Sequence, residues 1–160
     1  MYDVLEVSRH VINYSNDKNY GISNLKLQKL LYFIQAEFLT LKNNPRKCFG
    51  EKIEAWDFGP VVPEAYNEFK QYGGNNIPPV YSYFIIPKDN IWGIKKVEYK
   101  DDTISCEDKK IIDGVVDLFS EYSAVALVDL THRQSPWRDA FIPHLNNEIS
   151  TESIRRYFNE

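Results

Sequence analysis

Three histidines, His10, His132 and His144, are the side chains best placed to move protons or hold a metal near neutral pH. None has a second ligand-type residue at a helical or loop spacing that would close a metal site. The nearest approach to an activated nucleophile is Ser135 with His132. Three residues across a helix end do not by themselves bring a hydroxyl onto an imidazole, and no oxyanion motif accompanies the pair. Glu54, Asp57, Glu64 and Asp129 are acids or bases only in the sense that every protein carries carboxylates. The chain has no GxGxxG or Walker loop, and Gly73-Gly74 follows a helix signal rather than preceding one. No catalytic residue, metal site or cofactor is expected, so the chain reads as a binding protein and not an enzyme. His132 follows an apolar helical stretch ending at Leu130, where an imidazolium would interact with the carbonyl end of the helix dipole; this role is weighted above catalysis.

The chemistry that remains is recognition. Trp56-Asp57-Phe58-Gly59-Pro60-Val61-Val62-Pro63 puts large apolar groups on a stretch restricted by one glycine and two prolines. A stiff aromatic loop loses little entropy when it binds a partner. The same residues also serve a purely architectural purpose if Trp56 and Phe58 plug the core while Gly59-Pro60 turns the chain into a helix at Pro63. Both roles stay open, on different faces of the segment. The division expected is that Trp56 and Trp137 hold the fold, while Phe58, Gly59, Pro60, Val61, Val62 and the exposed edge of the Pro63 helix, whose inner face is Ala65, Tyr66 and Phe69, make contact.

The elements that must position these residues are mainly helical. Asp3 starts a first helix that ends in Asn16-Asp17-Lys18-Asn19. Ser23 is an N-cap for the strongest helical signal, 25–41, whose apolar residues exceed one face and predict a central helix packed on two sides. Lys26, Lys29, Gln35, Glu37 and Lys42 are expected on its polar remainder. Residues 53–56 are a short extended piece, and the Pro63 helix runs to about Tyr72 before Gly73-Gly74. Aromatic and β-branched residues dominate 80–100, with Pro87-Lys88-Asp89-Asn90 between two runs. A small β-hairpin is expected there, with an irregular extended segment packed over the helices as the alternative. Ser105 with Asp108 resembles a capping box, Ser123 caps a short helix, Ser135-Pro136 opens another, and Ser150 or Thr151 starts the last.

Composition is consistent with a mainly α (α+β) fold, one compact helical domain over 1–160. Hydrophobic residues at 43% and aromatics at 14% are ample for a core. A formal charge of -4 announces no phosphate backbone as partner, so nucleic acid is not expected. The longest apolar runs fall far short of the roughly 20 residues of a spanning helix, and Met1-Tyr2-Asp3-Val4 is not a secretory signal, so a cytoplasmic protein without membrane partners is expected. Cys48 and Cys106, in unrelated settings, are expected as free thiols.

Three motifs carry a resemblance: Ser23-Asn24-Leu25-Lys26-Leu27-Gln28-Lys29-Leu30-Leu31-Tyr32-Phe33, Ile53-Glu54-Ala55-Trp56-Asp57-Phe58-Gly59-Pro60-Val61-Val62-Pro63-Glu64-Ala65-Tyr66, and Thr131-His132-Arg133-Gln134-Ser135-Pro136-Trp137. In this order and spacing they resemble the Panacea, or SocA-like, antitoxin domain and its phage-associated relatives. The resemblance implies a small helical antitoxin that neutralises a cognate toxin by direct binding, with related antitoxins serving very different toxins. It also implies two alternatives: an adaptor that delivers a client to an ATP-dependent protease, or a phage or mobile-element protein inhibiting another host target. Some members add a DNA-binding domain; none is expected ahead of the first helix here, so autonomous operator binding is not expected. A homo-oligomer stays open. The candidate partner-binding residues are Trp56, Phe58, Gly59, Pro60, Val61, Val62, Tyr66, His132 and Trp137.

Overall fold

Helices take up about half of the chain, and five of them begin at a side chain able to satisfy a free backbone N–H. The computed structural model describes residues 1–160, the side chain of Ile91 excepted. Its elements are α1 (Val4–Asp17), α2 (Asn24–Leu39), β1 (Ile53–Trp56), β2 (Gly59–Val61), α3 (Pro63–Phe69), β3 (Ser82–Ile85), β4 (Lys95–Glu98), α4 (Cys106–Leu118), α5 (Ala124–His132), α6 (Ser135–Ala140), β5 (Glu148–Ile149) and α7 (Thr151–Phe158). Asp3 caps α1, Ser23 caps α2, Ser105 caps α4, Ser123 caps α5 and Ser150 caps α7, each accepting from an amide of the first turn. Each such cap contributes about 1 kcal/mol. At α6 the expectation fails by one residue. Gln134 is the N-cap without a side-chain bond, because its amide oxygen accepts from Tyr32 Oη at 2.8 Å.

Helix α2 is the axis of the molecule. It touches α1, α3, α4, α5, α7 and β2, and only Leu25 and Glu37 along it are not buried. It stops at Leu39 rather than near Leu41, where Thr40 Oγ1 turns back to Ala36 O at 2.9 Å. Lys26, Lys29 and Gln35, expected on a wet face, are buried. Gln35 shows why: its Oε1 accepts from Cys48 N at 2.8 Å and its Nε2 donates to Phe49 O at 2.9 Å, so the loop after α2 folds over it. Surrounding elements cover nearly all of the helix surface, Glu37 staying exposed, and its other polar side chains become internal ties. Cys48 is buried within that loop, its thiol pushed up to about 12 by burial, while Cys106 is exposed; both are free.

The apolar cluster continues from Val4 in α1 through α2 to Ile112, Leu127, Trp137 and Ile154. Among the described residues no helix is long and apolar enough to cross a membrane.

Two small antiparallel sheets complete the α+β fold. In the first, ordered β2-β1-β5, Glu54 faces Val61, Ala55 faces Pro60, Trp56 faces Gly59, and Ile53 faces Ile149. The extended piece foreseen at 53–56 is thus half of a hairpin, with Pro60 inside a strand, and β5 carried too short a pattern to foresee. The second sheet is the hairpin expected in 80–100, pairing Tyr83 with Val97 and Phe84 with Lys96. Arg9 stacks over the Tyr83 ring at 3.4 Å and ties the hairpin to α1. Its aromatics do not blanket the helices: Trp92 is 90% exposed and Phe84 63%.

Candidate functional site

The β1–β2 corner is held from behind by α2. Asn24 Nδ2 donates to Tyr66 O at 3.0 Å, Gln28 Nε2 donates to Asn24 Oδ1 at 2.9 Å, and Gln28 Oε1 accepts from Val62 N at 2.9 Å. One turn of helix spacing, i and i+4, therefore sets the path from β2 into α3. The next residue, Lys29, is wholly buried and its Nζ donates to Pro60 O at 2.8 Å. No carboxylate among the described residues pairs with it, and burial pushes its ammonium down to about 7.

Gly59 fits here for two reasons. Its φ is +98°, which L side chains rarely adopt, and a Cβ would lie 2.7 Å from Thr131 Oγ1 and 2.9 Å from Lys29 Cε. From α6, Trp137 Nε1 donates to Trp56 O at 2.8 Å, while the indole stacks on His132 at 4.0 Å and on Phe141 at 4.6 Å. His132 sits in the last turn of α5, with a buried Nε2 that has no partner among the described residues. Its observed role is to pack on Trp137; no hydrogen bond joins it to Ser135 among the described residues.

In front of this scaffold lies a cleft of about 420 Å³ lined by Trp56, Phe58, Val61 and Tyr66, with Leu25, Lys70 and His144 at its margins. Trp56 meets Tyr66 edge-on at 4.9 Å and 65°, and its Nε1 donates to Glu54 Oε2 at 2.7 Å. Trp56 is therefore half-buried, a wall of the cleft rather than a plug of the core. Phe58, at the hairpin tip beside exposed Asp57, is 66% exposed. Pro60 and Val62 are buried behind the cleft, and Val61 lines it at 3% exposure.

Of the residues singled out from sequence, Trp56, Phe58, Val61 and Tyr66 meet around one cavity, Gly59, Pro60 and Val62 back it, and His132 and Trp137 brace β1 from outside it. The ties Asn24, Gln28 and Lys29 were missed, although three polar residues inside an over-apolar helix are a signal that they have partners. His144 and Asn146 were missed as well. They adopt φ of 69° and 48°, which bends the segment before β5 over the cleft, and neither stands in a turn motif that advertises it. The arrangement offers a mainly apolar, aromatic recess with Asp57 and Lys70 among its lining, suited to receiving a side chain of another molecule.

Residues 27–138 match the family described as Antitoxin SocA-like, Panacea domain. Antitoxin SocA of Caulobacter vibrioides (strain NA1000 / CB15N) is 50% identical over 52 residues, a stretch covering 32% of this chain and 27% of that protein. No solved structure matches the chain.

Proposed function

The chain belongs to the SocA-like antitoxin family of Panacea domains, and from that premise we propose that it neutralises a cognate toxin protein by direct binding, with 1–160 acting as one domain. What most supports the reading is the convergence of three separated sequence segments on one corner: Asn24, Gln28 and Lys29 fix its backbone, Trp137 holds β1, and Phe58 is left in solvent above an apolar cleft. Exposing a phenylalanine on a backbone tied this firmly costs little further ordering when a partner arrives. The contact set proposed is Trp56, Phe58 and Tyr66 with the margin residues Asp57 and Lys70, and the role is one of binding and not of catalysis.

The test is co-expression with the neighbouring reading frame. Growth arrest by the neighbour alone, relief by this chain, and a complex that co-purifies are the expected results. Phe58→Ala should abolish relief while leaving the melting temperature within a degree or two. A harmless neighbour, or relief undiminished by Phe58→Ala, counts against the proposal. A neighbour whose half-life collapses when this chain is present would replace neutralisation by binding with delivery to a protease.

A further inference from the structure

The β3–β4 hairpin has a free edge whose sequence complements itself. Tyr99 N donates to Tyr81 O at 2.9 Å, directly opposite in register, so pairs 81/99, 83/97 and 85/95 exchange the ladder bonds. The backbone groups of Lys96 and Glu98 therefore point away from β3, and no partner to them is present among the described residues. Tyr83 and Val97 face the body and are half-buried, which puts Lys96, Glu98 and Phe84 on the outward face, all exposed.

An antiparallel strand joining this edge must place residues with outward backbone groups opposite one another. For a second copy of β4 related by a two-fold axis, centring the axis on Val97 sets Lys96 of one chain against Glu98 of the other, twice. Opposite charges directly across a ladder stabilise it, and an isologous interface needs this kind of reciprocity. The β3 edge lacks it, since the equivalent pairing would set Ser82 against Phe84. At the loop end of the hairpin, Ile85, Ile86, Trp92 and Ile94 are 49% to 90% exposed, a load of apolar surface unusual for a hairpin that stays in water.

We propose that the hairpin is a self-association site: two chains pair through β4 into a four-stranded sheet ordered β3-β4-β4-β3, with Val97 against Val97 and two Lys96–Glu98 pairs across the join. The occupant is a second copy of this chain, and the toxin-facing cleft takes no part in the contact.

Sedimentation or light scattering on the full chain at about 50 µM provides the test. The expected mass is twice 18.8 kDa. Lys96→Glu places like charges opposite and should weaken dimerisation at least tenfold. Glu98→Lys should do the same, and the double variant Lys96→Glu/Glu98→Lys should restore the dimer. A monomer in the unmodified chain overturns the proposal, as does a dimer indifferent to Lys96→Glu. So does a double variant that stays monomeric with an unchanged circular dichroism spectrum.

Discussion

Replacing Lys29 by methionine should remove most of one component of the protein's pH-dependent stability. In the fold the Lys29 ammonium has one acceptor, Pro60 O, and no carboxylate, and burial holds its pKa at about 7. In the unfolded chain a lysine titrates near ~10.4. The folded value is depressed, so between these two values the unfolded chain binds a proton that the folded chain does not, and stability rises with pH. A full gap is worth roughly 5 kcal/mol at 1.36 kcal/mol per unit. Between pH 7 and 9 the group should add about 2 kcal/mol to the unmodified protein. With a urea slope of about 2 kcal/mol/M, that moves the unfolding midpoint by roughly 1 M. The assay is urea unfolding at pH 7, 8 and 9, followed by the fluorescence of the three tryptophans, for the unmodified chain and Lys29→Met. Subtracting the two curves cancels every other titrating group. A difference that stays flat within about 0.5 kcal/mol would refute the reasoning, because the ammonium would then be hydrated in the fold.

Gly59→Ala should cost about 2 to 4 kcal/mol, because the left-handed backbone and the approach to Thr131 Oγ1 both resist a Cβ; Thr131→Ala in the same chain should recover part of it, read from urea midpoints. Trp137→Phe keeps the ring stack but removes the indole N–H that Trp56 O accepts, and should cost about 1 kcal/mol. At Asp108, burial raises the carboxyl pKa, but hydrogen bonds from Tyr2 and Arg46 outweigh it and hold the value below the usual carboxylate range. That stability is present above the unfolded carboxylate pKa and is lost as pH falls through the folded value. Asp108→Asn should therefore unfold over a shallower acid limb, measured by circular dichroism from pH 5 to 2.

Sequence made the helices legible wherever a cap and an apolar period coincide, as at Asp3, Ser23, Ser105, Ser123 and Ser150. It misplaced Lys29 and Gln35, because a polar side chain is assigned to water unless its acceptor is known. The partners that bury them are Pro60 O for Lys29, 31 residues away, and Cys48 N and Phe49 O for Gln35, 13 and 14 residues away. The residue types of the aromatic segment are plain in the sequence, yet its division between wall, backing and tip depends on the β1–β2 register. A three-residue strand containing proline gives no periodicity from which to read that register. His144 and Asn146 reach the cleft through positive φ angles that histidine and asparagine adopt more readily than most residues but that no local pattern requires.

The polar ladder behind the corner also separates what can vary from what cannot. Asn24, Gln28 and Lys29 grip only main-chain oxygens, main-chain nitrogens and one another, so they are indifferent to which side chains stand at 57 and 58. Those two positions at the hairpin tip form a cassette: their identities can be exchanged, by drift or by a randomised library, while the fold supporting them is left untouched.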